Sequence, residues 1–412
     1  MKILVVTQYF WPENFRINDL VLGLKDLGHE IHVLTGMPNY PGGRFYSGYT
    51  MFGPGRELYQ GIPLTRVPLI PRGSGRGWRL AVNYLSFVVS ASVLGPIRSR
   101  GPFDCIFVFE PSPITVGIPA LLLKKIWKIP ILFWVQDLWP ESLSAAGAVH
   151  SFLILKWAER LVRFIYDGCD LLLAQSRSFV TAIEKQGVDP GKIVYYPNSA
   201  EELYQPLVLG EDAPEQALLP AGFRIMFAGN VGAAQDFATI LAAAEQLKEY
   251  ADIHWIIIGD GRMLPWVRGE VEKRGLNKAF HLLGRFPVER MPRFFCLADA
   301  LLVTLLDQPI FSSTIPSKIQ SYMACGKPII AALAGEGAAV VREAGAGLAV
   351  PPEKAEHLAE AILSLYRMTE TQRQAMGRKG RKYFLEHFER KTLLAKLNGW
   401  IEEIVTQRRE KR

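Results

Sequence analysis

Residues 314–330 read Thr314-Ile-Pro-Ser-Lys-Ile-Gln-Ser-Tyr-Met-Ala-Cys-Gly-Lys-Pro-Ile-Ile330. The Pro316-Ser317 pair opens a helix, Gly326 closes it, and Pro328 begins the next strand. Such a helix start offers the free backbone N–H groups of Ser317 and Lys318 to a diphosphate, and the Lys318 ammonium adds a formal charge. An ordinary helix start with a solvated lysine has the same pattern, so the block alone defines geometry and not function.

Outward from this block, strand-like and helix-like segments alternate along almost the whole chain. Upstream of it lie apolar runs at Arg224–Phe227, His254–Ile258, Phe280–Leu283 and Ala300–Val303, and Pro328–Ala331 follows. Asp236–Lys248 and Met263–Arg274 are helical segments between them. The first half repeats the theme, with strands at Ile3–Val6, Ile31–Thr35, Cys105–Phe109, Ile131–Val135, Leu171–Ala174 and Ile193–Tyr196. Its helices include Asn14–Leu27, Pro119–Trp127, Phe152–Tyr166 and Phe179–Lys185. Pro197-Asn198-Ser199 ends the last of these strands, and Glu201–Ala221 is polar, acidic and without period. The expected fold class is therefore α/β, with two doubly wound Rossmann-like domains facing a cleft at the carboxyl ends of their strands. Domain limits are expected at 1–205 and 206–380, with a charged helical segment, 381–412, returning to the first domain.

Composition fits this picture. The chain has 412 residues, 49% hydrophobic and 21% charged, which is globular and long enough for two cores. A formal charge of +7 suits an anionic partner, whether nucleic acid, anionic lipid or a nucleotide diphosphate. Cys105, Cys169, Cys296 and Cys325 show no paired spacing, so neither a disulfide frame nor a metal site is expected. Met1-Lys2 runs straight into a strand, with no leader pattern, which points to a cytoplasmic protein.

Leu80–Ile97 is almost uncharged over eighteen positions, with Arg72, Arg76 and Arg79 before it and Arg98 and Arg100 after. Its length is at the lower margin for a membrane span, so a core helix or an interfacial helix is the better expectation. Trp78, Tyr84, Phe87 and Trp127 in the same region are residue types of a headgroup boundary. An anionic membrane surface is the expected partner. Nucleic acid is not, because the cations surround an apolar stretch instead of a polar face.

Met323-Ala-Cys-Gly-Lys-Pro resembles the signature that closes the donor site in glycosyltransferase family 4. Phe227-Ala-Gly-Asn-Val-Gly, Ile258-Gly-Asp-Gly, Leu283-Gly-Arg and Gly347-Leu-Ala-Val-Pro-Pro follow the family's order. Tyr9-Phe-Trp-Pro-Glu, Pro38-Asn-Tyr-Pro-Gly-Gly and Gln136-Asp-Leu-Trp-Pro-Glu-Ser resemble one branch, the transferases of bacterial surface polysaccharides such as lipopolysaccharide, including those for fucosamine-type sugars. The resemblance implies a GT-B fold with an acceptor-binding first domain and a nucleotide-sugar-binding second domain. It implies retaining transfer of a hexosyl or N-acetylaminosugar unit from a nucleotide-diphosphate sugar, UDP favoured. The acceptor would be a lipid-linked glycan, on polyprenyl diphosphate, at the inner face of the cell membrane, where the enzyme is peripherally attached.

On this family pattern the donor side falls on Gly229, Asn230, Gly232, Gly261, Arg262, Arg285, Ser313, Pro316, Ser317, Lys318 and Ser321. Two departures stand out. Two family glutamates fall here on Ser313 and Ser321, and the paired Arg and Lys that grip the diphosphate are replaced near Asn230 and Gln235. Lys318, Arg262 and Arg285 are the cations nearest these loops, and Lys318 is the favoured substitute. In the first domain Glu13 follows the first strand and stands where an acceptor can be reached, or merely favours a helix N-terminus. Asp137 and Glu141 stand where sugar hydroxyls can be met, with an Asx turn as the alternative for Asp137, and Glu110 is a further candidate. Glu13, Asp137 and Lys318 are thus the catalytic candidates. No Asp-x-Asp motif occurs, so neither a metal nor any other cofactor is expected. A nucleotide-sugar 2-epimerase shares the fold and diphosphate site but leaves the arginine-flanked apolar segment without a purpose. A non-catalytic GT-B sugar-binding scaffold is the alternative of another class, opposed by the retained Gly229, Gly232, Gly259, Gly261, Gly326 and Pro316.

Overall fold

The computed structural model describes residues 1–74, 77–99, 101–145, 151–210 and 212–410. The chain divides into two compact units, Met1–Tyr196 with Leu394–Arg412, and Pro197–Leu393.

The first unit is built on an eight-stranded sheet: β1 (Lys2–Val6), β2 (Glu30–Gly36), β3 (Arg56–Tyr59), β4 (Ile62–Val67), β5 (Cys105–Glu110), β6 (Ile131–Val135), β7 (Leu171–Ala174) and β8 (Ile193–Tyr195). Their order is β3-β4-β2-β1-β5-β6-β7-β8, and every pairing is parallel except β3 with β4. Its helices are α1 (Arg16–Asp26), α2 (Gly77–Arg98), α3 (Gly117–Trp127), α4 (Glu141–Ala145), α5 (Phe152–Gly168) and α6 (Arg177–Lys185). β5, β6 and β7 are buried along their whole length, which is why they read as unbroken apolar runs. The β3–β4 hairpin is absent from the sequence-based expectation. Pro63, Thr65 and Arg66 interrupt its apolar pattern, and Gln60-Gly61 turns it with φ of 49° and 80°.

The second unit carries six parallel strands: β9 (Phe223–Ala228), β10 (Ile253–Ile258), β11 (Phe280–Gly284), β12 (Ala300–Thr304), β13 (Ile329–Ala332) and β14 (Gly347–Val350), in the order β11-β10-β9-β12-β13-β14. The helices are α7 (Phe237–Gln246), α8 (Leu264–Lys273), α9 (Met291–Cys296), α10 (Pro309–Ser312), α11 (Ser317–Ala324), α12 (Gly335–Glu343), α13 (Ala355–Arg367) and α14 (Glu370–His387), while α15 (Arg390–Glu410) belongs to the first unit from Leu394 onward. Strand order reverses between β1 and β5 in the first sheet and between β9 and β12 in the second. Ligands of such sheets meet the loops at these switch points.

The boundaries differ from 205 and 380 for packing reasons. Ala200 is buried in the second unit's core, and Tyr204 stacks on Phe295 with ring centres 5.9 Å apart. Phe384 and Phe388 bury in the same core, so α14 stays with that unit. The returning segment begins at Leu394: Leu397 and Ile401 are fully buried, Trp400 packs edge-on against Tyr196, and Arg409 pairs with Asp104 at 2.7 Å. Lys411 and Arg412 of the expected basic tail lie outside the described residues.

Candidate functional site

The second unit's switch point gathers most of the donor-side residues. β9 ends at Ala228, and Gly229 follows with φ of +136°, a conformation that side chains rarely adopt. A Cβ at Gly229 would lie 2.8 Å from Lys318 Cε, so the loop and the lysine are in close contact. Gly259 at the end of β10 is tighter still, with a Cβ position 1.8 Å from the Gly229 carbonyl oxygen. The Tyr322 hydroxyl accepts the Ala228 N–H at 3.2 Å, which ties α11 to the end of β9.

Lys318 occupies the second residue of α11. Its Nζ lies 3.5 Å from the centre of the Phe227 ring, a cation–π contact. Among the described residues no carboxylate pairs with it. Burial without a counter-ion lowers its pKa to about 7. An ammonium held at the first turn of a helix, without an internal anion, is arranged to receive one from outside.

Beside it, Asn230, Gly232, Gln235 and Arg262 line a cavity of about 520 Å³ with Leu306, Gln308 and Phe311. Gln235 Oε1 accepts the Gly232 N–H at 3.1 Å, so this side chain organises its own loop. Arg262 is exposed on the rim, while Arg285, also exposed, does not line this cavity. The two serines at the family's glutamate positions donate to backbone one turn earlier: Ser313 to the Pro309 carbonyl and Ser321 to the Ser317 carbonyl, both at 3.1 Å. Ser321 is buried, so its hydroxyl fixes the start of α11 instead of standing open for a ribose. Phe227, the seat of the ammonium, enters the sequence reading only as the end of a strand and the first residue of a motif, without a role, and no local pattern marks Gln308 or Phe311.

In the first unit Glu13 has a different place from either expectation. It is 1% exposed, and α1 starts only at Arg16, so it neither stands open to an acceptor nor caps that helix. Its Oε1 accepts the N–H groups of Asn39 and Tyr40, both at 2.7 Å, and its Oε2 accepts that of Phe10 at 3.1 Å. Desolvation raises its pKa to about 7, opposed by these three bonds. Arg66, itself fully buried, donates to the Trp11 and Gly36 carbonyls and clamps the same loops from the other side. The product of this clamp is an aromatic cluster that the sequence reading does not contain. Tyr9 stacks on Phe15 at 5.2 Å, Tyr40 packs on both, and the Arg72 guanidinium lies 4.8 Å from the Tyr40 ring centre.

Asp137, after β6, accepts the Ser142 hydroxyl, and its N–H points to Glu110 Oε2 at 3.4 Å. Glu110 ends β5, is fully buried, and its Oε1 has no hydrogen-bond partner. Burial first, then the nearby Asp137 charge, pushes the Glu110 carboxyl well above the ordinary range, and burial raises Asp137 as well. Both shifts favour the neutral acid, and burial acts most strongly on Glu110.

Two doubly wound parallel units of this build make a GT-B fold. The family model described as "Glycosyl transferase 4-like domain" matches residues 14–199, and that described as "Glycosyl transferases group 1" matches residues 222–368. The chain belongs to this glycosyltransferase family. It is 30% identical over 261 residues to WbjE of Pseudomonas aeruginosa, a protein named as a glycosyltransferase, a match spanning 61% of this chain and 63% of that one. It is 26% identical over 379 residues to WcaI of Escherichia coli K12, a glycosyl transferase named for colanic acid biosynthesis, spanning 88% of this chain and 91% of that one. The solved structure of HepE from Anabaena, in complex with UDP, shares the fold at a TM-score of 0.69 and 15% identity, covering 98% of this chain and all of that one. Relatives with transferase names do not favour an epimerase.

Proposed function

We propose that the protein is a retaining glycosyltransferase of surface-polysaccharide assembly. It moves a hexosyl or N-acetylaminosugar unit from a nucleotide-diphosphate sugar to a polyprenyl-diphosphate-linked glycan. The observation that carries the donor side is Lys318: a cation with no counter-ion among the described residues, at the N-terminus of α11, against the Gly229 loop. Developing charge on the departing diphosphate is stabilised by this ammonium and by the Ser317 and Lys318 N–H groups. Arg262 meets the nucleotide from the rim of the adjoining cavity. Binding of UDP by HepE supports a UDP-linked donor, and the names of WbjE and WcaI support the polysaccharide setting. On the acceptor side Phe15 and Tyr40, backed by the buried Tyr9, offer ring faces to a sugar, and Asp137 accepts from its hydroxyls.

A lipid-linked acceptor requires the enzyme to work at the inner face of the cell membrane. α2 suits that setting. It is the one helix among the described residues long and apolar enough to cross a bilayer. One side packs into the core through Phe87 and Ala91, with Asn83 satisfied by Gln8 and the Ile70 carbonyl, while Trp78, Leu85, Val89, Val93 and Ile97 are exposed. An interfacial helix has this two-sided build. Arg72, Arg79 and Arg98 flank it, and Arg76 and Arg100 lie outside the described residues.

The test is calorimetric titration of the full chain with UDP, GDP, dTDP and ADP, each with and without EDTA, followed by turnover of the matching sugar. UDP is expected to bind best, EDTA to change nothing, and Lys318→Ala to abolish most of the affinity. Unchanged binding in that variant removes Lys318 from the site, and loss of binding on chelation replaces the metal-free reading with a metal-bridged one.

A further inference from the structure

Helix α5 carries an unused surface. Only its second half is anchored: Val162, Ile165 and Tyr166 are fully buried, and Val162 and Ile165 lie in the first unit's core. The first half is apolar in sequence, Phe152-Leu-Ile-Leu-Lys-Trp, yet Phe152, Leu153 and Trp157 are 73%, 69% and 69% exposed, and Phe164 further along is 62% exposed. Side chains of that size do not stay in water without a reason. α5 packs beside α3, and α3 beside α2, so the exposed faces of these helices belong to one side of the sheet. Leu122 and Ile126 on α3 are exposed between them.

The cations on α5 are arranged around its rings. Lys156 Nζ lies 5.9 Å from the Phe152 ring centre, and the Arg160 guanidinium lies 5.7 Å from that of Trp157. Arg163 follows, paired with Asp167 at 3.7 Å. On α2 and α3, Arg79, Arg98 and Lys125 add three more, with no carboxylate on either helix, while Lys124 is held by Asp170 at 2.5 Å, and Glu159 and Asp167 are the carboxylates on α5. Long basic side chains lying along aromatic rings, with heads free to reach outward, are the chemistry of a headgroup layer over acyl chains.

We infer that α5 inserts the Phe152–Trp157 edge into an anionic lipid bilayer and forms, with α2, a two-helix membrane-docking surface. This rests on the reading that the enzyme works at a membrane, and it assigns half of that contact to a helix whose sequence shows no span-like length. Two separated apolar signals also explain how docking can be firm without a transmembrane helix. They fix the protein's orientation as well as its attachment, because two non-collinear helices define a plane.

The experiment is flotation of the full chain with vesicles of phosphatidylcholine alone or with phosphatidylglycerol added. Three proteins are compared: the unaltered chain, Phe152→Glu/Trp157→Glu in α5, and Leu85→Glu/Val89→Glu in α2. Melting temperature and UDP titration confirm that each is folded. The unaltered chain is expected to float with the anionic vesicles, and each double variant to lose at least tenfold in partitioning while keeping UDP binding. If the α5 variant floats like the unaltered chain while the α2 variant does not, membrane attachment stands and the role of α5 is overturned. If the unaltered chain stays in solution at low salt, the membrane reading itself fails. If light scattering instead finds a dimer that only the α5 variant breaks, a second copy covers this face and the inference is overturned.

Discussion

The hydroxyl of Tyr322 accepts the N–H of Ala228 at 3.2 Å, within buried surroundings. This one bond sets the distance between the helix that carries Lys318 and the strand end that carries Gly229. Tyr322→Phe leaves the Ala228 N–H without that acceptor, at a cost of about 1–3 kcal/mol. A denaturant titration should show that loss, and UDP affinity should fall with it. A variant as stable as the parent, with unaltered affinity, would mean that the bond positions nothing.

The proposed donor role of Lys318 gives UDP binding a pH dependence with a definite sign. Burial has lowered its pKa to about 7. The empty protein therefore loses the charge above pH 7, while a bound diphosphate holds the proton in place. Binding above pH 7 then takes up a proton, and UDP affinity should fall as the pH rises from 7 to 9, by at most about tenfold per unit. Lys318→Ala should weaken binding by about 1.5–3 kcal/mol at pH 7 and flatten the profile. Titrations in buffers of different ionisation enthalpy count the proton directly. A flat profile in the unaltered protein rules out the linkage.

Glu13 positions the aromatic cluster through its bonds to the N–H groups of Asn39 and Tyr40. Glu13→Gln replaces one acceptor oxygen by an NH2 group facing a backbone N–H, so a loss of about 1–3 kcal/mol in stability is expected. The acceptor KM should rise more than kcat falls, because Tyr40 moves and the donor site does not. Equal loss in kcat alone, with stability kept, would make Glu13 a catalytic group after all.

Glu110 contributes to stability with the opposite pH sense from an ion-paired carboxylate, whose native pKa is lowered. Its native pKa is raised, so the folded protein holds more protons than the unfolded one above the model-peptide value of 4.5. Its contribution is fully present below that value and drains away as the pH rises towards the native pKa. Glu110→Gln removes the titration while keeping the shape of the neutral acid. Urea midpoints at pH 5 and pH 8 should show the variant gaining on the parent at the higher pH. A difference that stays constant between the two means that Glu110 is ionised in the fold.

What could be read from the sequence follows from how local each signal is. β6 is apolar at every position, and β5 at all but its terminal Glu110, because both faces are covered, and such runs are visible without a partner. The Ser317 helix start was legible for the same reason, since Pro316 and Gly326 mark its ends locally. The β3–β4 hairpin was not, because Arg66 sits in it to donate to Trp11 and Gly36, a demand set by another loop. The role of Glu13 was hidden likewise: its partners Asn39 and Tyr40 are fixed by the path of the chain after β2. Phe227 under Lys318 depends on the register of α11 against β9, which no single stretch encodes.

The return of residues 394–412 to the first unit has a consequence for synthesis. Emerging from the ribosome, the chain offers all of Pro197–Leu393 before the segment bearing Leu397, Ile401 and Trp400 exists. The second unit can thus mature while the first still waits for its closing helix, with the surface around Tyr196 left bare. A nascent polypeptide stalled in that interval has its second unit complete and its first open to chaperones, and translation of residues 394–412 decides when that vulnerability ends.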